Sequence, residues 1–212
     1  MAFVRAAVPG LAPPPAATVE ERVARLADAD PTVRRLAARS LADAPVAAAA
    51  LAARIEDEAD LRVREALFGS LVSIGGTDVA ALMAPFLRSQ DAGLRNGALE
   101  SLKQIGAESC RAAIDALVVD ASPDVRLLAI EVTRAWPGPL AEPLLRQLIE
   151  TDPHVNVCGA AVDVATELGS AALLAPLAAL RARFVDEPFL AFAVDVARAR
   201  IAGWQQPSGP KR

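Results

Sequence analysis

Few side chains in this sequence could do chemistry. His154, the single histidine, and Cys158, one of two cysteines, stand four residues apart, so on a helix they occupy neighbouring turns of one face. Such a pair could form a thiolate–imidazole nucleophile or half of a metal site. A nucleophile of this kind wants a third group to orient the imidazole, and zinc wants three or four ligands. No such partners stand out, so the pair reads as a core cysteine beside a surface histidine. Trp136 and Trp204 could stack on nucleotide bases, but no basic stripe accompanies them. Each falls at the end of a helical pattern, where it reads as a plug. The remaining constellation sets Asp30, Asp60, Asp91 and Asp152 with Arg34, Arg64, Arg95 and Arg126. A phosphate or catalytic site needs one such pair, whereas a stack of similar units needs many. These residues therefore read as a structural ladder that fixes register while adding little net stability. No catalytic residue, metal ligand or cofactor site is expected.

The ladder belongs to a repeat. Asp30-Pro31-Thr32-Val33-Arg34 returns as Asp60-Leu61-Arg62-Val63-Arg64, as Asp91-Ala92-Gly93-Leu94-Arg95 and as Ser122-Pro123-Asp124-Val125-Arg126. A degraded fifth copy, Asp152-Pro153-His154-Val155-Asn156, and a weaker sixth, Glu187-Pro188-Phe189-Leu190, follow. The first five are spaced by 30, 31, 31 and 30 residues, a period that marks a repeat architecture. Each copy opens as a helix does, with a capping side chain and often proline at the first helical position. Apolar residues then recur at helical spacing, as in Val33, Leu36, Ala37 and Leu41. A second helical pattern precedes each copy, over 19–26, 46–55, 79–87, 112–119, 140–149 and 171–180. Gly75-Gly76, Gly106, Pro137-Gly138-Pro139 and Gly169 break the chain between pairs.

No strand pattern competes. The expected fold is all-α: a right-handed α-solenoid of about six antiparallel helix pairs over residues 18–204, a rod of roughly 50–60 Å. Residues 1–17 read as a Pro/Ala-rich tail, with Phe3 and Val4 as candidate anchors, that either caps the first pair or stays flexible. Residues 205–212 read as a disordered polar tail.

Aspartate-proline-x-valine-arginine opening the second helix of a roughly 30-residue pair resembles the HEAT-repeat superfamily. The short period is similar to the HEAT-like repeats of bacterial phycobilisome lyases. The resemblance covers about residues 18–202. It implies that the first helices form a convex surface and the second helices line a concave one. It also implies that the Asp/Arg ladder links neighbouring pairs and fades after the fourth, where Asn156 and Ala191 replace arginine. Two further readings come with it: a phycobilin-lyase-like accessory subunit, for which no residue marks a chromophore site, and a nucleic-acid-binding solenoid.

Helix phase then picks out the concave face, at two, six and nine residues beyond the buried Val or Leu of each copy. These positions are Arg35, Arg39 and Ala42; Glu65, Gly69 and Val72; Asn96, Glu100 and Lys103; Leu127, Glu131 and Arg134; Val157, Ala161 and Val164; Phe192, Val196 and Ala199. The face is expected to run from basic, through mixed charge, to apolar. Arg35, Arg39, Glu100, Lys103, Glu131 and Arg134 would steer a protein partner, Leu127, Val157, Val164 and Phe192 would supply buried contact, and Asn96 stands among them on the candidate face. The expected function is a non-enzymatic scaffold or adaptor holding a protein partner of unstated identity, with homodimerisation through the apolar patch left open.

Composition agrees with this class. With 53% hydrophobic residues and a mean hydropathy of +0.31, the chain is not a disordered polymer. A net charge of −4 and a pI near 5.1 provide no global field for nucleic acid or anionic membrane. No apolar run approaches the ~20 residues of a membrane span, and prolines at 9, 13, 14 and 15 interrupt any signal sequence. Cys110 and Cys158 point to a reducing cytoplasm, and abundant alanine with arginine in place of lysine to a GC-rich bacterial genome.

Overall fold

The structure, a computed structural model, describes residues 17–204; the tail readings for residues 1–16 and 205–212 lie outside the described residues. Twelve α-helices form six pairs: α1 (Val19–Ala24) with α2 (Pro31–Ser40), α3 (Ala48–Asp57) with α4 (Leu61–Ile74), α5 (Gly76–Met83) with α6 (Ala92–Ile105), α7 (Ala107–Leu117) with α8 (Pro123–Thr133), α9 (Gly138–Thr151) with α10 (Val155–Leu168), and α11 (Leu174–Arg183) with α12 (Pro188–Trp204). No strand occurs among the described residues.

The caps explain where the second helices begin. The carboxylates of Asp30, Asp60 and Asp91 accept the backbone N–H two residues on at 2.7, 2.8 and 2.7 Å. Thr18 and Glu21 exchange a reciprocal capping box at α1. Glycine explains where three of them end. Gly75, Gly106 and Gly169 have φ of 63°, 96° and 71°, a left-handed region that costs a β-carbon strain. Each closes a 14-residue helix. Gly75 and Gly106 also serve as the N-caps of α5 and α7, which therefore start earlier than the apolar pattern alone suggests.

The pairs stack side by side. The second helices form one layer in the order α2, α4, α6, α8, α10, α12, while α3 packs on α5, α5 on α7 and α9 on α11 in the other. Leu41, Leu51, Leu67, Leu71, Leu102, Ile130 and Leu145 are fully buried along a core that runs the length of the stack. The architecture is an all-α solenoid of HEAT-like pairs, in which each unit buries its apolar face only against its neighbours. Among the described residues no helix is long and apolar enough to cross a membrane.

One copy departs from the register drawn from sequence. In the first four copies the residue two before the cap (Asp28, Glu58, Ser89, Asp120) accepts the backbone N–H of the cap residue at 2.8–3.1 Å. In the fifth, Asp152 does this toward His154 at 2.8 Å, and His154 is the N-cap of α10. Asp152 thus matches Asp28 rather than Asp30, and the helix starts two residues later than the Asp152-Pro153 match implies. Val157 takes the place of Val33, and Cys158 takes the place of Arg34. Asn156 is not the ladder position.

Candidate functional site

The ladder lies at the helix starts. Arg34 donates a two-pronged pair of hydrogen bonds to Glu58, both 2.8 Å, and a further bond to the Asp28 carbonyl at 2.9 Å. Arg64 reaches Asp91 at 3.0 Å and the Glu58 carbonyl at 2.8 Å. Arg126 meets Asp152 at 2.7 and 3.1 Å, with both side chains buried. Arg95 reaches only backbone, the Ser89 and Gln90 carbonyls at 2.7 and 3.1 Å. Asp30 caps its own helix, and Asp60 caps its helix and pairs with Arg62. The residue missing from the sequence reading is Glu58. It is buried, accepts Arg34, Arg54 and the Asp60 amide, and is held at a pKa of about 2, first by the Arg34 hydrogen bonds.

At the fifth copy a different element fills the gap. Cys158 Sγ donates to the Asp152 carbonyl at 3.3 Å, the acceptor that the ladder arginine would take. Arg183, at the end of α11, supplies the guanidinium: it donates to the Asp152 carbonyl at 2.8 Å, to Cys158 Sγ at 3.3 Å and to the Glu150 carbonyl. Burial pushes the Cys158 thiol up, and that of Cys110 to about 11, so both are held as thiols. His154 and Cys158 are a helix cap and a core residue. Trp136 is buried just beyond α8; the side chain of Trp204 lies outside the described part of the structure.

The second-helix face carries a depression of about 630 Å³ across α2, α4 and α6. Arg39, Glu65 and Glu100 stand along it, and Gly69, Gly93 and Gly97 line it. Gly97 has a specific reason. A β-carbon there would lie 2.4 Å from the Phe68 ring, which fills the space and packs edge-on against Phe86. Gly69 differs, because a β-carbon there would point into open space.

The charges on this face divide into two groups. Lys103 pairs with Glu100 at 3.1 Å, and Arg134 with Glu131 at 3.0 Å and with Glu167. Among the described residues Arg35, Arg39 and Glu65 have no ion-pair partner. Asn96 is exposed and Leu127 is half-buried against the core.

The expected apolar end of the face is corrected. Val157, Ala161 and Val164 are 0%, 0% and 4% exposed. The two-residue shift of α10 turns them inward and turns Gly159, Asp163 and Thr166 outward. Phe192, Val196 and Ala199, on α12, stay exposed. The face therefore runs from Arg35 and Arg39, through paired charges, to an acidic stretch at Asp163 and Glu167. Counting back fourteen residues from Gly169, as from Gly75 and Gly106, would have found this register; the proline at 153 concealed it.

Residues 19–103 match the family of HEAT repeats. No curated protein matches the chain in sequence. Among solved structures the chain is similar to an engineered protein at 15% identity and a TM-score of 0.43, covering 87% of this chain and 96% of the other. It is similar to the CpcE–CpcF complex of phycocyanin lyase from Nostoc sp. PCC7120 at 18% identity and 0.37, covering 94% and 100%. A designed armadillo repeat protein gives 14% and 0.38, covering 87% and 100%.

Proposed function

We propose that this chain, which carries HEAT-like repeats, is a scaffold that holds an extended segment of a protein partner in the trough across α2, α4 and α6. The observation that supports the reading is the trough itself. It is open, crosses three successive repeats, has open space at Gly69 where a partner backbone can approach, and carries Arg39 and Glu65, which have no ion-pair partner among the described residues. Arg35 and Arg39 receive an acidic side chain of the partner, Glu65 a basic one, and Asn96 and Glu100 the backbone between them. Lys103, Glu131 and Arg134 are already engaged in ion pairs and serve to keep the face rigid. Leu127 borders the end of the contact; Val157 and Val164, being buried, take no part. Glu65, Glu100, Glu131, Asp163 and Glu167 interrupt any basic track along the layer, which favours a protein over a nucleic-acid partner.

Gly69 provides the test. Its open surroundings let Gly69→Trp fill the trough without displacing the core. Tagged wild-type protein, Gly69→Trp, Arg35→Glu/Arg39→Glu and a control, Val119→Ser on an exposed site elsewhere, are used to capture proteins from the native cell and compared by quantitative mass spectrometry. The same partner should be lost with both trough variants and kept with the control. A partner retained by Gly69→Trp would rule out the trough.

A further inference from the structure

The first and last described helices differ. At the first, α1 presents Glu20, Glu21 and Arg22 and keeps only Leu26 of its 3₁₀ extension buried. At the other, α12 buries Leu190, Val194, Ala197 and Ile201 and turns outward Phe189, Phe192 and Val196, at 88%, 70% and 46% exposure. At 100° per residue, Phe189, Phe192, Val196, Ala199 and Gly203 form one stripe opposite the buried face. The outer face of α12 is thus aromatic where that of α1 is charged.

We propose that a second copy of this chain covers it, α12 lying antiparallel on α12 about a two-fold axis at Val196. The inference is independent of the trough. Two features of the stripe select this occupant. The first is shape. The bulky residues fill the first half and the small ones the second, so the two-fold lays Phe189 of one copy against Gly203 of the other, and Phe192 against Ala199. Gly203 has open space where a β-carbon would stand. A parallel pairing would set ring on ring at one end and leave a void at the other.

The second feature is charge. An antiparallel two-fold brings the same flank of each helix together. Asp195 and Arg198 share a flank three residues apart, on either side of the axis, so Asp195 of each copy meets Arg198 of the other. Arg198 has no ion-pair partner within the described chain, and Asp195 holds only the half-exposed Arg181 at 2.9 Å. The contact is isologous and closes at two copies.

Light scattering on the full chain tests this over a wide range of concentration. The mass should rise from 22.0 kDa toward twice that value. Phe192→Asp, a change at a solvent-facing site, should hold it at the single-chain mass. Arg198→Asp should weaken association about tenfold, one factor-of-ten step in the dissociation constant, and adding Asp195→Arg should recover much of it. Val196→Cys should form a disulfide with its own copy under mild oxidation, because Cys110 and Cys158 are buried. Val119→Cys, exposed elsewhere, should not. A single-chain mass at every concentration, a dimer that survives Phe192→Asp, or cross-linking at 119 as fast as at 196 would overturn the proposal. Gly69→Trp should leave self-association unchanged, so the trough and the end face can fail separately.

Discussion

Glu58 concentrates more of the ladder than any aspartate in the repeat. Its carboxylate is shielded from water and accepts hydrogen bonds from Arg34, Arg54 and an amide, so deprotonation is strongly favoured in the folded chain. An acid whose folded pKa lies below its unfolded value stabilises the fold above the unfolded pKa, and that contribution disappears as pH falls through the folded one. Here the window runs from about 4.5 down to about 2. The contribution at neutral pH is roughly 3 kcal/mol, from about 1.4 kcal/mol per pKa unit. Glu58→Gln should therefore lower urea stability at pH 7 by an amount of that order and flatten the loss of stability below pH 4.5. Equal acid sensitivity in the variant and the parent would show that other carboxylates govern it. A buried pair of this kind costs more to break than it adds over an apolar replacement, so its role is to set where one repeat sits on the next.

At the scale of elements, α10 shows how a repeat survives the loss of its marker residue. Cys158 cannot bridge to the next unit as Arg34, Arg64 and Arg126 do, and α11 sends Arg183 back to occupy the vacated hydrogen bonds. The guanidinium is tied to three acceptors, so its fork geometry matters. Arg183→Ala should cost about 1–2 kcal/mol for a lost charged hydrogen bond. The amides at the start of α10 and the end of α11 should exchange faster with solvent deuterium before those of α4 and α6 do. Arg183→Lys should restore little of this protection. Uniform exchange in the alanine variant would mean that Arg183 does not lock this joint. Sequence periodicity found these helices but misplaced α10 by two residues, because Asp-Pro marks a helix start in the first copy and the position before a start in the fifth.

At the scale of the whole stack, one long side carries Arg35 and Arg39, which have no ion-pair partner among the described residues. On the proposed reading, Arg35 and Arg39 would act on a partner before contact, and Debye screening would limit that reach to about 10 Å at 0.1 M salt. Raising ionic strength should slow association with a captured partner several-fold while leaving the dissociation rate nearly constant, whereas Arg39→Glu, at the proposed contact, should also speed dissociation. A dissociation rate unchanged by Arg39→Glu would place Arg39 at the rim and not inside the bound contact. The six pairs, the Asp30, Asp60 and Asp91 caps and the Gly75, Gly106 and Gly169 stops were legible from the sequence, because local chemistry determines each of them: a carboxylate two residues from a free amide, a glycine where φ is positive, an apolar residue every three or four positions. What only the tertiary structure decided is which of those residues meet. Glu58 belongs to the ladder because Arg34 reaches it from the preceding repeat, Phe68 fills the space that Gly97 leaves, and Val157 and Val164 are buried because α10 rotates with its later start. Those outcomes depend on contacts between elements, and no spacing along one helix specifies them.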